Sequence, residues 1–107
     1  MLISQNCETA AYMPDTITVA GVSNAYDRQA FAKTTIHVPG ATFTVQVSNK
    51  VTPDESLDAS DWVTLPDSYI IAEGLAYVDM PVTWVRVIGD DLTPGTSIYL
   101  LSNQYHF

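Results

Sequence analysis

The chain has 107 residues, 47% hydrophobic and 15% charged, with twelve acidic side chains against four basic ones for a net charge of −8. That length holds one core and excludes two independent ones. The composition excludes extended disorder, and the charge excludes a main role on DNA or RNA, whose phosphates most of this surface would repel.

Met1 to Asp15 carries scattered apolar groups, Leu2, Ile3, Tyr12 and Met13, without a sustained period before Pro14 and Asp15 interrupt it. The expectation is an N-terminal arm or irregular edge segment over 1–15, followed by one β-sandwich domain over 16–107. The start has neither the basic residues nor the apolar run of a signal peptide, and no window is long and apolar enough to span a bilayer. Cys7 is the only cysteine, so no intrachain disulfide is possible, and synthesis in a reducing cytoplasm is expected.

Thr16 to Ala20 is predicted as a short strand ended by Gly21. Asn24 has the chemistry to cap a short helix, but the β-branched run Thr34 to Val38 favours a strand that begins near Arg28. Pro39-Gly40 then reverses the chain, proline presetting the first turn angle and glycine accepting a positive φ. From Thr42 to Ser48 polar and apolar residues alternate strictly, the period of a strand with one dry face. Residues 49–61 hold Pro53 and four carboxylates and are predicted as an exposed, mobile loop.

Further strands are predicted at Trp62 to Leu65, Tyr69 to Ile71, Leu75 to Val78, Val82 to Ile88 and Ser97 to Leu101, with Ser102 to Phe107 as a tail anchored by Tyr105 and Phe107. Short strands at this spacing give an all-β, two-sheet antiparallel sandwich, jelly-roll-like in outline. On the strand 82–88 an unpaired arginine is poorly placed in a core, so Val85 and Val87 are predicted inside and Trp84, Arg86 and Ile88 outside. Trp and Arg together are the composition of an interface anchor. The competing reading covers the Trp84 ring and the Arg86 stem with the chain's own arm or acidic loop, Arg86 pairing a carboxylate there.

No pattern for chemistry emerges. There is no nucleophile elbow and no glycine-rich phosphate loop, and His37, His106 and Cys7 are too scattered to form a zinc site. Asp54, Glu55, Asp58 and Asp61 lack the spacing of a calcium loop and read as a solvated acidic stretch. The expectation is a protein without enzymatic activity, cofactor or metal.

The runs Ala41 to Ser48, Asp61 to Leu65, Pro81 to Val87 and Gly95 to Leu101, in that order, resemble small β-sandwich proteins of tailed bacteriophage virions. In those proteins a strand like Thr44-Val45-Gln46-Val47-Ser48, a Trp-Val strand, a strand bearing an arginine like Arg86 and a Gly-Thr-led closing strand recur in this sequence. The likeness covers roughly the last 65 residues, and the acidic loop after Asn49 and the aromatic tail depart from it. It implies a non-enzymatic virion component assembled in the host cytoplasm. Such a component is a capsid decoration or cement protein bridging neighbouring subunits of the major capsid protein, or a minor neck, tail or fibre-base protein. It also implies self-association as a trimer or ring. Contacts are expected from Leu2, Ile3, Tyr12, Met13, Trp84, Arg86, Ile88, Tyr105 and Phe107, because the arm, the outer patch and the tail present apolar groups where a lone monomer would prefer polar ones. A carbohydrate-binding module on the same scaffold, with Trp62, Trp84 and the tyrosines as a stacking platform, is the alternative.

Overall fold

A computed structural model of the chain describes residues 10–28 and 33–103. Nine strands occur among them: β1 (Ala10–Thr16), β2 (Tyr26–Asp27), β3 (Lys33–His37), β4 (Thr44–Ser48), β5 (Val63–Thr64), β6 (Ile70–Ala72), β7 (Leu75–Val78), β8 (Trp84–Ile88) and β9 (Ser97–Asn103), with a single 3-10 turn at Asp67–Tyr69. They form two antiparallel sheets, one ordered β1-β9-β3-β7-β6 and the other β2-β8-β4-β5. The pairs β1·β9, β2·β8, β3·β7 and β4·β5 trace one long ribbon. That ribbon is rolled so that β9 lies beside β3 and β8 beside β4, the winding of a jelly roll.

Period-two alternation decides what fills the space between the sheets. Val45 and Val47 of β4 face Val85 and Val87 of β8 on the inner side, and Ile36, Val38, Ala76, Val78, Ile98 and Leu100 complete the layer from the other sheet. Each of the Val, Ile and Leu side chains contributes on the order of 1.5–3 kcal/mol by leaving water. With Ile17, Leu92 and the ring of Tyr26, they close the sandwich without a disulfide.

The N-terminal arm expected over 1–15 is corrected from residue 10 onward. Ala10–Thr16 pairs with β9 along its whole length, so this stretch belongs to the sandwich. Its apolar pattern is weak because an edge strand has little to face: Tyr12, Pro14 and Thr16 lie on the outer side, and Met13, on the core side, is still partly exposed. Ile17 donates its N–H to the Thr96 carbonyl, so by alternation Met13 and Asp15 bond β9 and Pro14 turns its missing donor to the open edge. The strand predicted for Thr16 to Ala20 is also shorter than expected, leaving only an isolated bridge between Val19 and Val22.

The other sheet ends in the two-residue strands β2 and β5, and the far edge of the first sheet carries a bulge between Ile70 and Ala72. The single strand expected to begin near Arg28 is instead two, β2 and β3, lying in different sheets.

Candidate functional site

The two outer faces of the sandwich differ in what covers them. Over the four-stranded sheet the loop 49–61, expected to be mobile, folds back and is latched. Arg86 projects from β8 on the side opposite Val85 and Val87, as predicted, but it is only 1% exposed. Its Nε donates to Gln46 Oε1 at 2.8 Å, Nη1 to the Glu55 carbonyl at 2.9 Å and Nη2 to the Ser56 carbonyl at 3.1 Å, with a longer contact to Leu57 at 3.4 Å. The guanidinium lies 4.4 Å from the centre of the Trp62 ring, and Trp62 Nε1 donates to the Asp54 carbonyl at 2.7 Å. Burial pulls the Arg86 pKa down, opposed by the nearby Glu55 and Asp54 carboxylates.

Inside the loop, Asp54 and Asp61 accept hydrogen bonds from loop N–H groups, and Asp61 also binds Lys50 at 3.0 Å. These contacts hold both carboxyls below their ordinary range. Among the described residues, no three His, Cys, Asp or Glu side chains group to hold a metal, and no helix is long and apolar enough to cross a membrane.

Arg86 is therefore corrected as a contact residue, since its donors are taken up by its own chain and chiefly by carbonyls rather than a carboxylate. Trp84 and Ile88 flank it on the same outer face and are half-buried. Tyr12 lies on the opposite side of the molecule, 64% exposed, and Met13 sits at the margin of the core there. The proposed contact residues are thus split between two faces. Leu2, Ile3, Tyr105 and Phe107 lie outside the described residues.

The outer face of the five-stranded sheet has no covering segment among the described residues. Register places Tyr12, Leu101, Thr35 and Tyr77 in one row across β1, β9, β3 and β7, and Pro14, Tyr99, His37 and Leu75 in the next. Leu101 is 47% exposed, and Ile71 stands out from the β6 bulge at 57%. His37 and Tyr99 rings lie 5.9 Å apart, and Lys33 Nζ sits 5.9 Å from the Tyr77 ring centre. A shallow recess of about 200 Å³ opens between Tyr77, Leu101 and Asn103. Tyr77, Tyr99 and Leu101 were not among the expected contact residues. For Tyr99 and Leu101 the signal was the run 97–101, where Ile98 and Leu100 satisfy the inner parity and two of the three outer positions are also apolar.

One polar link ties the edge of this sheet to the other. Asp15 Oδ2 accepts from Tyr26 Oη at 2.8 Å and from Asn24 Nδ2 at 2.9 Å. Burial opposes ionisation of Asp15, but hydrogen bonds from Asn24, the Thr16 backbone and Tyr26 outweigh it and hold the carboxyl below its ordinary value. Burial and the same carboxylate push the Tyr26 phenol far up.

A depressed carboxyl contributes stability that is present above its unfolded value, near pH 4, and lost as pH falls through the lower folded one. Stability measured by urea midpoints is therefore expected to fall between about pH 5 and about pH 3, and Asp15→Asn to flatten part of that fall. An unchanged pH profile in the variant would contradict the role given to Asp15.

Comparison with known protein families, curated proteins and solved structures finds no match to the chain.

Proposed function

We propose that the protein is a non-enzymatic structural component of a tailed-bacteriophage virion, a capsid decoration or cement protein that binds its neighbours through the outer face of the five-stranded sheet. The observation that supports this reading is the asymmetry of the sandwich: one outer face is partly covered by loop 49–61, and the other carries the exposed Tyr12, Leu101 and Ile71 beside the half-buried Tyr77 and Tyr99. Jelly rolls recur in viral capsid and lectin domains, which supports the reading by analogy. The arginine-bearing strand and the Gly-Thr-led closing strand of the resemblance are β8 and the entry to β9.

Size bears on how such a face would act. Five strands of three to seven residues, at about 4.8 Å spacing and about 3.4 Å per residue, give a flat area on the order of 400 Å². That is below the roughly 800 Å² per partner of a stable pairwise contact. The face suits contacts repeated by symmetry, where avidity adds to modest affinity. A trimer or ring of copies around a capsid axis is the arrangement we propose.

The test is occupancy on the particle. Purified chain is mixed with capsids of the major capsid protein encoded by the same genome, and bound copies are counted after sedimentation and by particle imaging. Tyr77→Asp with Leu101→Asp should reduce occupancy by about tenfold or more with little change in thermal stability, because both side chains are outward. Wild-type occupancy in this variant would count against the face.

A truncation of residues 1–13 is unsuited to the question, because it removes four of the seven residues of β1. Residues 1–9 are the segment to delete.

The three tyrosines on one open face also favour a second reading, a carbohydrate-stacking platform. Trp62, buried on Arg86, drops out of that platform. Glycan-array binding lost on Tyr77→Ala, with no capsid binding, would select it.

A further inference from the structure

At the end of the sandwich where β3 leaves its sheet and β4 enters the other, the chain walls a groove of about 1000 Å³. Its apolar lining comes from Phe43, Ile70, Ile88 and the projecting Leu57. The carboxylates Asp67, Glu73, Asp90 and Asp91 also line it, and no Lys or Arg does.

The walls are pinned by close backbone approaches. A Cβ on Gly89 would lie 2.7 Å from the Thr42 carbonyl oxygen and one on Gly74 2.6 Å from that of Val38, so neither position has room for a side chain. Asp91 is spent on the fold, accepting the Thr42 N–H at 2.9 Å. The side chains of Asp67, Glu73 and Asp90 are exposed and have no hydrogen-bond or ionic partner among the described residues.

No Lys or Arg of the chain lines the groove to balance its charge. The chain contains four Lys and Arg residues. Arg28 and Arg86 are buried and donate to carbonyl oxygens, Lys50 binds Asp61, and Lys33 lies over Tyr77 on the outer sheet face. Lys33 is at the far end of β3 from the groove, paired with Asn103. A preformed apolar trough bordered by uncompensated carboxylates is complementary to one chemistry: an apolar side chain with cations on either side.

We infer that the groove binds a segment of a partner protein in which an apolar residue is flanked by Lys or Arg. The apolar side chain enters between Phe43, Ile70 and Ile88, and the cations reach Asp67, Glu73 and Asp90. The inference stands on the groove alone and does not require the partner to be a capsid protein.

The test uses the full isotope-labelled chain titrated with three short capped peptides: Leu-Phe flanked by Lys and Arg, Leu-Phe flanked by Glu, and Gly-Ser flanked by Lys and Arg. The first should shift the amides of Thr42, Gly74, Gly89 and Asp90, with affinity falling as salt rises, and should bind about tenfold tighter than the other two. The combined variant Asp67→Asn, Glu73→Gln, Asp90→Asn, altered only at exposed positions, should weaken that peptide by about tenfold. Absence of binding, equal binding of the three peptides, or shifts spread over the Lys33 and Tyr77 face would each overturn the assignment. None of these results bears on whether the outer sheet face holds a capsid, so the two readings fail independently.

Discussion

Replacing Arg86 by alanine is expected to lower the unfolding free energy by about 3 kcal/mol and to free the loop 49–61 from the four-stranded sheet. The guanidinium supplies donors to Gln46 and to the carbonyls of Glu55 and Ser56, and a surface for Trp62. Without it, Gln46 loses a partner in a buried setting, and the loop carbonyls regain theirs only by lifting into water. Leaving a buried polar group unpaired costs about 1–3 kcal/mol, and the lost packing on Trp62 adds to that.

Lysine is not an adequate substitute. It keeps the charge but presents a compact ammonium in place of a planar fork, so Arg86→Lys should recover only part of the loss. Urea midpoints give the stability change, and limited proteolysis should show cleavage within residues 51–60 accelerated by about tenfold as the loop opens. A variant with an unchanged midpoint and an unchanged cleavage pattern would refute the latch.

Arg28 is expected to matter at least as much, by a similar device at the end of the sandwich where β8 begins. It too is 1% exposed. Its Nε donates to Thr34 Oγ1 at 2.9 Å, Nη2 to the Val78 carbonyl at 3.2 Å, and Nη1 to the carbonyls of Val82, at 3.2 Å, and Met80. Thr34 Oγ1 in turn lies 2.9 Å from Ser102 Oγ, so the network joins the end of β2 to β3, β9 and the connection from β7 to β8. Burial lowers the guanidinium pKa, with Asp79 opposing.

Arg28→Ala should cost about 3–4 kcal/mol, because several inward-facing carbonyls and a buried hydroxyl lose a shared donor at once. At roughly 4–8 °C per kcal/mol for a domain of this size, the melting temperature should fall by more than 10 °C. Calorimetry decides it, and a fall of about 2 °C or less would show that water replaces the arginine without loss.

Both arginines explain where the sequence was readable and where it was not. The strict alternation of Val45 and Val47, and of Val85 and Val87, located the inner faces of β4 and β8, because the sheet period is a local property. The same parity put Arg86 on the outer side. What lay above it depended on a loop more than 25 residues away in sequence meeting the fork of its guanidinium, and no local pattern records such a meeting. Gln46 and Ser48 are buried for the same reason, although their parity reads as solvent-facing.

β1 was missed because an edge strand with Pro14 on its open side needs neither alternation nor a full set of donors. β2 was too short to register as a strand. The open tyrosine face was half legible. Apolar residues on both parities of 97–101 indicated a second surface, but the row from Tyr12 to Tyr77 exists only once β1, β9, β3 and β7 are placed side by side.

The treatment of the sheet edges bears on life at high concentration. Pro14 withholds a donor along β1, the bulge at Ile70–Ala72 skews the opposite margin, and β2 and β5 are too brief to template a neighbour. A protein accumulating in many copies runs the risk of cross-β stacking, in which each molecule seeds the next into a fibril. Among the described residues each edge is interrupted against such seeding, which leaves the flanks as the broader surfaces on which crowded molecules meet.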